Sequence, residues 1–166
     1  MRQPIISPVS GVVRTLDAGP ALTFGIYIRG PNDPVHDSHD IYAPFDARIK
    51  SIDAHAFTRV GRLYTIRPEK HGSLIITFIG HDPAATHTHA PTHATLEIEV
   101  GSGYVTNEIA IGVVPGQFVK AGARIGSIVI RPGNSYARFR VSGRLTPKTR
   151  VGHVVIGGKT TIAEPS

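Results

Sequence analysis

The chain has no cysteine, no tryptophan and a single methionine among its 166 residues. Without thiols it forms neither disulfides nor thiolate metal sites, so its stability has to come from a packed core. It also lacks any apolar run near the roughly 20 residues that a membrane-spanning helix needs. The segment Met1-Arg-Gln-Pro-Ile-Ile-Ser-Pro8 carries too few consecutive apolar residues for a signal-peptide core, so none is expected. No window sustains a 3.6-residue apolar period, which excludes long amphipathic helices. Acidic residues are scarce too. Twelve Asp and Glu stand against eighteen Lys and Arg, a formal charge of +6. That balance favours an acidic partner such as an acidic protein face, an anionic lipid or nucleic acid.

What the chain has in quantity is turn residues. Eighteen Gly and thirteen Pro separate short runs rich in Val, Ile and Thr, the pattern of an all-β protein. The clearest strands are Ile26–Ile28, Ala47–Ile52, Leu63–Ile66, Ser73–Ile79, Thr95–Val100 and Ile109–Val114. The length suits a single domain spanning 1–166 with one continuous core. One stretch breaks the pattern. Gly80-His-Asp-Pro-Ala-Ala-Thr-His-Thr-His-Ala-Pro-Thr-His93 has little that is apolar beyond alanine and proline, and an exposed His/Thr/Pro-rich loop is expected at about 80–94.

Two internal echoes suggest duplication. Pro8-Val-Ser-Gly-Val-Val13 is similar to Pro44-Phe-Asp-Ala-Arg-Ile49, and Gly116-Gln-Phe-Val-Lys-Ala-Gly122 is similar to Gly152-His-Val-Val-Ile-Gly-Gly158. Both pairs are offset by 36 residues, from Pro8 to Pro44 and from Gly116 to Gly152. Such paired half-motifs resemble those of biotinyl and lipoyl domains. They imply a duplicated half-motif sandwich or barrel of the barrel-sandwich hybrid type.

The charged and histidine-rich stretches supply candidate sites. Arg138, Arg140, Arg144, Lys148 and Arg150 form the densest basic cluster. Arg138 and Arg140 alternate with Ala137, Phe139 and Val141, so on a strand the cations share one face. This is the candidate surface for docking an acidic partner. Sequence-specific nucleic-acid binding is not expected, because the few aromatics are not interleaved with the cluster. His87 and His89 stand at i and i+2 with His81, Asp82 and His93 nearby, a spacing that permits weak zinc or nickel binding on an extended segment. No physiological metal is expected there.

The closing quarter carries a family resemblance. Gly122-Ala-Arg-Ile-Gly-Ser-Ile-Val-Ile-Arg-Pro-Gly-Asn-Ser135 is followed by Val151-Gly-His-Val-Val-Ile-Gly-Gly-Lys-Thr-Thr-Ile-Ala163. Upstream, Ser7-Pro-Val-Ser-Gly11 and Asp37-Ser-His-Asp-Ile-Tyr-Ala-Pro-Phe-Asp-Ala47 occur in matching order. Together they resemble phosphatidylserine decarboxylases. In that family a Gly-Ser bond breaks and the serine becomes a pyruvoyl cofactor. The resemblance places the bond between Asn134 and Ser135, with Ser135 as nucleophile, His39 as base and Asp37 beside it. Three positions depart from the pattern. Ser10 stands where the first aspartate belongs, Tyr42 where the second histidine belongs, and Asn134 where the glycine belongs. Members of such a triad act as a unit, so these departures point to a chain that stays intact and forms no pyruvoyl cofactor, and they weigh against an enzyme without deciding it.

His36-Asp-Ser-His-Asp40-Ile-Tyr-Ala-Pro44 also resembles the signature of lysostaphin-like zinc endopeptidases. In that family His36 and Asp40 would be ligands, completed by a later His-x-His. Tyr136 and Arg138 stand there instead, so no zinc is expected and a degenerate module that binds cell wall is the implied alternative. The expectation from the whole is a non-catalytic, decarboxylase-like β-domain. Its role would be structural or docking, as a homo-oligomer or with other subunits of a larger assembly such as a virion capsid-decoration or tail protein. The opposing expectation is a pyruvoyl-dependent decarboxylase of phosphatidylserine or an amino acid.

Overall fold

The computed structural model describes residues 3–28, 38–67, 70–81, 91–100, 107–129 and 135–166. Among them no helix forms, and all regular structure is strand, as the composition requires. In chain order the first strands are β1 (Ile5–Ile6), β2 (Gly11–Ala18), β3 (Leu22–Ile28), β4 (Ser38–Tyr42), β5 (Ala47–His55) and β6 (Thr58–Val60). They are followed by β7 (Leu63–Ile66), β8 (Gly72–Gly80), β9 (His93–Val100), β10 (Asn107–Ile111) and β11 (Phe118–Val119). The last are β12 (Arg124–Val129), β13 (Ser135–Val141), β14 (Leu145–Pro147), β15 (Val154–Val155) and β16 (Thr161–Pro165).

These strands build three antiparallel sheets. The largest has the order β11-β5-β8-β9-β13-β3-β2-β15, a second runs β4-β12-β10-β7-β6, and a short third runs β1-β16-β14. Alternation decides which face turns inward. On β8, Leu74, Ile76 and Phe78 are fully buried while Ser73, Ile75, Thr77 and Ile79 are only partly covered. On β13 the buried set is Ser135, Ala137, Phe139 and Val141, leaving Arg138 and Arg140 exposed, as the sequence alternation predicts. The inner faces of all three sheets contribute to one hydrophobic cluster, with Phe24 stacked on Phe139 at 6.5 Å and Phe45 edge-on to Phe78 at 6.4 Å. The sheets pack as layers over that core and do not close into a barrel.

Several boundaries differ from the sequence expectation, β3 beginning at Leu22 rather than Ile26 and β5 running on to His55 rather than Ile52. The strand expected over 109–114 stops at Ile111, where the ladders to Leu63 and Gly126 run out and the chain turns through Val114–Gln117. The expected loop at about 80–94 is shorter at both ends, because Gly80 belongs to β8 and His93 and Ala94 belong to β9. Gly80 N–H donates to Thr92 O at 2.7 Å, closing the neck of that connection. Residues 82–90 lie outside the described residues.

The 36-residue echo is a true structural repeat. β11 pairs with β5 as Phe118 to Arg48 and Val119 to Ala47, and β15 pairs with β2 as Val154 to Val12 and Val155 to Gly11. Every one of these positions maps onto its counterpart by the same offset. The hydrogen bonds repeat as well. Ile49 N–H donates to Gln117 O and Val13 N–H to His153 O, both at 2.9 Å, while Gly116 N–H to Ile49 O and Gly152 N–H to Val13 O are both 2.7 Å. β5 and β2 are bulged at equivalent places, between Ile49 and Ser51 and between Val13 and Thr15. The halves also clasp each other reciprocally, Tyr42 N–H to Pro8 O and Ile6 N–H to Pro44 O, which is the mark of an approximate twofold. Four glycines hold the turns at positive φ in matched pairs. Gly116 and Gly152 stand at 90° and 93°, and Gly122 and Gly158 at 78° and 75°.

Candidate functional site

Four connections pass between the two larger sheets at one end of the molecule: β3 to β4, β7 to β8, β9 to β10 and β12 to β13. On the eight-stranded side Tyr27 pairs with Tyr136, and Ser135 with Val100, which also pairs with Gly72. On the five-stranded side Ser38 pairs with Val129, Val129 with Glu108, and Asn107 with Ile66. Within each sheet these strand ends are therefore level with one another. His39 and Ser135 stand within a residue of this end, on strands from facing sheets. Both are buried, at 8% and 3% exposure, and both fall in the inward-facing register, His39 with Ile41 and Ser135 with Ala137. The topology thus brings the two principal site residues to one end of the core. Asp37, Asn134, His36, His87, His89 and Asp82 lie outside the described residues.

Ser10 immediately precedes β2 at the same end, since Gly11 pairs with Ile28. Its hydroxyl accepts the Gly157 N–H at 2.9 Å. The equivalent bond in the other half is made by Asp46, whose Oδ1 accepts the Ala121 N–H at 2.9 Å. Both acceptors fasten a proline turn to the glycine turn that follows the neighbouring edge strand. Ser10 is therefore engaged as a turn fastener, the work Asp46 does 36 residues later.

Tyr42 is likewise committed. Its ring lies against Gly157 and Gly158, where an added Cβ would come within 2.9 and 2.7 Å of ring carbons. Its hydroxyl donates to Asp40 Oδ2 at 3.3 Å, and Asp40 Oδ1 is paired with Arg124 Nε at 3.1 Å. Burial, the Asp40 charge and the hydrogen bond to Asp40 push the phenol above its usual range, against the opposing pull of Arg124. A phenol that holds its proton this firmly is a poor substitute for a histidine base. Asp40, for its part, has both carboxylate oxygens engaged.

The residues at the later zinc-ligand positions face the other way. Tyr136 and Arg138 lie on the outer face of β13, opposite in register to Ser135. The Tyr136 hydroxyl is 3.1 Å from Thr15 Oγ1, above the bare backbone of Gly25, and Arg138 is tied to carboxylates. Among the described residues no three His, Asp or Glu side chains gather to hold a metal. The His81 ring lies tilted by 56° against Phe118 with centroids 4.7 Å apart, and the backbone of His93 is bonded to Ser142.

The five basic docking candidates do not act alike. Arg138 Nη1 bridges Glu97 at 2.9 Å and Glu99 at 3.4 Å, and Lys148 faces Glu164 at 3.5 Å. Arg150 donates to His153 Nε2 at 2.9 Å. Only Arg140 and Arg144 have side chains without a polar partner among the described residues. The Glu97–Glu99 pair beneath Arg138 was not foreseen from sequence. Burial, the hydrogen bond to Glu99 and the Glu99 charge raise the Glu97 carboxyl above its ordinary value, more than Arg138 lowers it. Its sequence signal is the i, i+2 spacing of two carboxylates on a strand opposite an alternating basic strand.

Comparison of the chain with protein-family models, with curated proteins and with solved structures finds no match to any of them. Among the described residues no helix is long and apolar enough to cross a membrane.

Proposed function

We propose that this chain works intact, as a non-catalytic β-domain that docks within a larger assembly, for which a virion capsid-decoration or tail protein is the kind of role. The observation that carries this reading is the hydrogen bond from Gly157 N–H to Ser10, matched by that from Ala121 N–H to Asp46. Where the resemblance to the decarboxylases calls for an aspartate, this chain has a serine whose hydroxyl fastens a turn. The duplicated frame adds support. Its two outermost edge strands, β11 and β15, each present an exposed apolar residue at the same repeat position, Phe118 and Val154. Partners in such an assembly are further copies of the chain or other subunits, with a buried contact above about 1,000 Å².

A second reading keeps the decarboxylase, cleaved between Asn134 and Ser135 to make a pyruvoyl group. It draws on the placement of His39 and Ser135, both facing the core at one end of the molecule. Intact mass under denaturing conditions separates the two. A single species of 17.8 kDa supports the docking domain. Fragments of 134 and 32 residues, the smaller with a blocked N-terminus, would overturn it.

A further inference from the structure

Seven large apolar side chains stand exposed among the described residues, and four of them, Val60, Leu63, Val114 and Phe118, stand on two turns that hydrogen bonds join. The β6–β7 turn is joined to the start of the next turn by Ile111 N–H to Arg62 O at 2.9 Å and Arg62 Nη1 to Gly112 O at 3.3 Å. That next turn is closed by Gln117 N–H to Val114 O at 3.1 Å and leads directly into Phe118. Val60 is 76% exposed and Phe118 60%.

Cations border the surface. Arg59 is held by Nε to Gly61 O at 2.8 Å and lies 5.6 Å over the Tyr64 ring, while Arg62 is braced on Gly112. Arg48 stands opposite Phe118 in the ladder, and Lys120 follows two residues later. None of the four makes an ion pair among the described residues. Neither 57–67 nor 109–129 contains a single Asp or Glu. The nearby carboxylate of Asp46, two residues before Arg48, has its Oδ1 engaged by the Ala121 N–H, so apolar side chains bordered by the held Arg59 and Arg62, with no acidic residue in their own turns, call for charge from outside.

We propose that this surface docks an acidic protein segment in which carboxylates alternate with apolar side chains. The inference rests on the docking role above and names its partner's chemistry. Carboxylates would reach the Arg59 and Arg62 forks, and apolar side chains would cover Phe118, Val114 and Val60. A protein segment fits better than a bilayer for two reasons. The exposed apolar groups are few and split between two turns, and even a whole myristoyl chain anchors only marginally. Three of the four cations are arginines, two of them held in fixed orientation, which suits planar carboxylate recognition more than a flexible polylysine-type lipid contact.

The test uses the full chain and a fluorescein-labelled peptide of alternating glutamate and leucine, followed by anisotropy. Saturable binding that weakens with salt is expected. The double variant R59Q/R62Q and the single variant Phe118→Ser should each weaken it about tenfold or more. Arg14→Gln, exposed on β2 and outside both this surface and the basic cluster of 138–150, should leave it unchanged. Should R59Q/R62Q fail to fold, Phe118→Ser and Lys120→Gln, both at exposed positions, carry the same test. No binding, equal binding by the variants, or preferential sedimentation with vesicles of phosphatidylcholine and phosphatidylglycerol would overturn the proposal. Cleavage at Ser135 in the mass measurement would instead overturn the docking role on which it rests.

Discussion

Replacing the turn glycines with alanine separates backbone strain from steric strain, because the repeat supplies matched controls. At Gly116 and Gly152 the φ values are 90° and 93°, and an added Cβ would meet nothing within 4 Å. Alanine there costs only the strain of positive φ, about 1–2 kcal/mol at each site. The two costs should agree within about 0.5 kcal/mol, and the double variant should show their sum, since the sites are on opposite edges of the sheet. At Gly158, with φ of 75°, the new Cβ would also fall 2.7, 2.9 and 3.1 Å from three Tyr42 ring carbons. Moving the ring disturbs the Tyr42–Asp40–Arg124 chain, and overpacking of this kind adds about 1–3 kcal/mol. Gly158→Ala should therefore cost about 2–5 kcal/mol in total. Tyr42→Ala in that background should cost less than Tyr42→Ala alone, because the collision has been removed. Urea unfolding followed by far-ultraviolet circular dichroism measures all of these, tyrosine fluorescence serving as a second probe in a chain without tryptophan. Unequal costs at Gly116 and Gly152, by more than about 1 kcal/mol, would refute the structural equivalence of the halves. A Gly158→Ala cost no larger than theirs would refute the steric argument.

Further outcomes follow from the same geometry. Glu97 holds its proton more firmly in the folded chain than in the unfolded one, so its contribution is full below the ordinary glutamate value and is lost as pH rises through the raised folded value. Urea midpoints measured between about pH 4 and 7 should show that loss, and Glu97→Gln should remove it from the profile. Arg138→Gln should enlarge it by removing the cation that opposes the shift, and a profile unaffected by either change would contradict the assignment. Ser10→Asp should accept the Gly157 N–H as Asp46 accepts Ala121, leaving stability unchanged or raised by up to about 1 kcal/mol. The mass of that variant should stay single, whereas new fragments ending at Asn134 would show that one substitution restores self-processing. Phe139→Ala empties a fully buried site stacked on Phe24 and should cost about 3–5 kcal/mol in the same denaturant assay, a loss below about 1 kcal/mol being incompatible with that packing.

Periodicity and turn residues were enough to specify strands at β5, β7, β8 and β9, because a two-residue alternation of apolar side chains makes sense only when one face of a sheet is buried. The 36-residue echo was legible for a related reason. Glycines that must adopt positive φ recur wherever the same turn recurs, so Gly116, Gly122, Gly152 and Gly158 left a trace in the sequence itself. The inward placement of Ser135 and the outward placement of Arg138 and Arg140 also follow from alternation along one strand. Other features depend on residues far apart in the chain, and no local pattern contains them. The exchange of Ser10 for Asp46 as turn fastener needed Gly157 and Ala121 to arrive from 147 and 75 residues away. The neutralisation of Arg138 needed β9 and β13 to pair in one particular register. The apolar, cation-ringed surface is assembled from two turns, at Val60–Leu63 and Val114–Phe118, that only the β7–β10 ladder brings side by side. Local sequence sets backbone preferences and faces, whereas the coincidence of charged and polar groups is fixed by strand order and register.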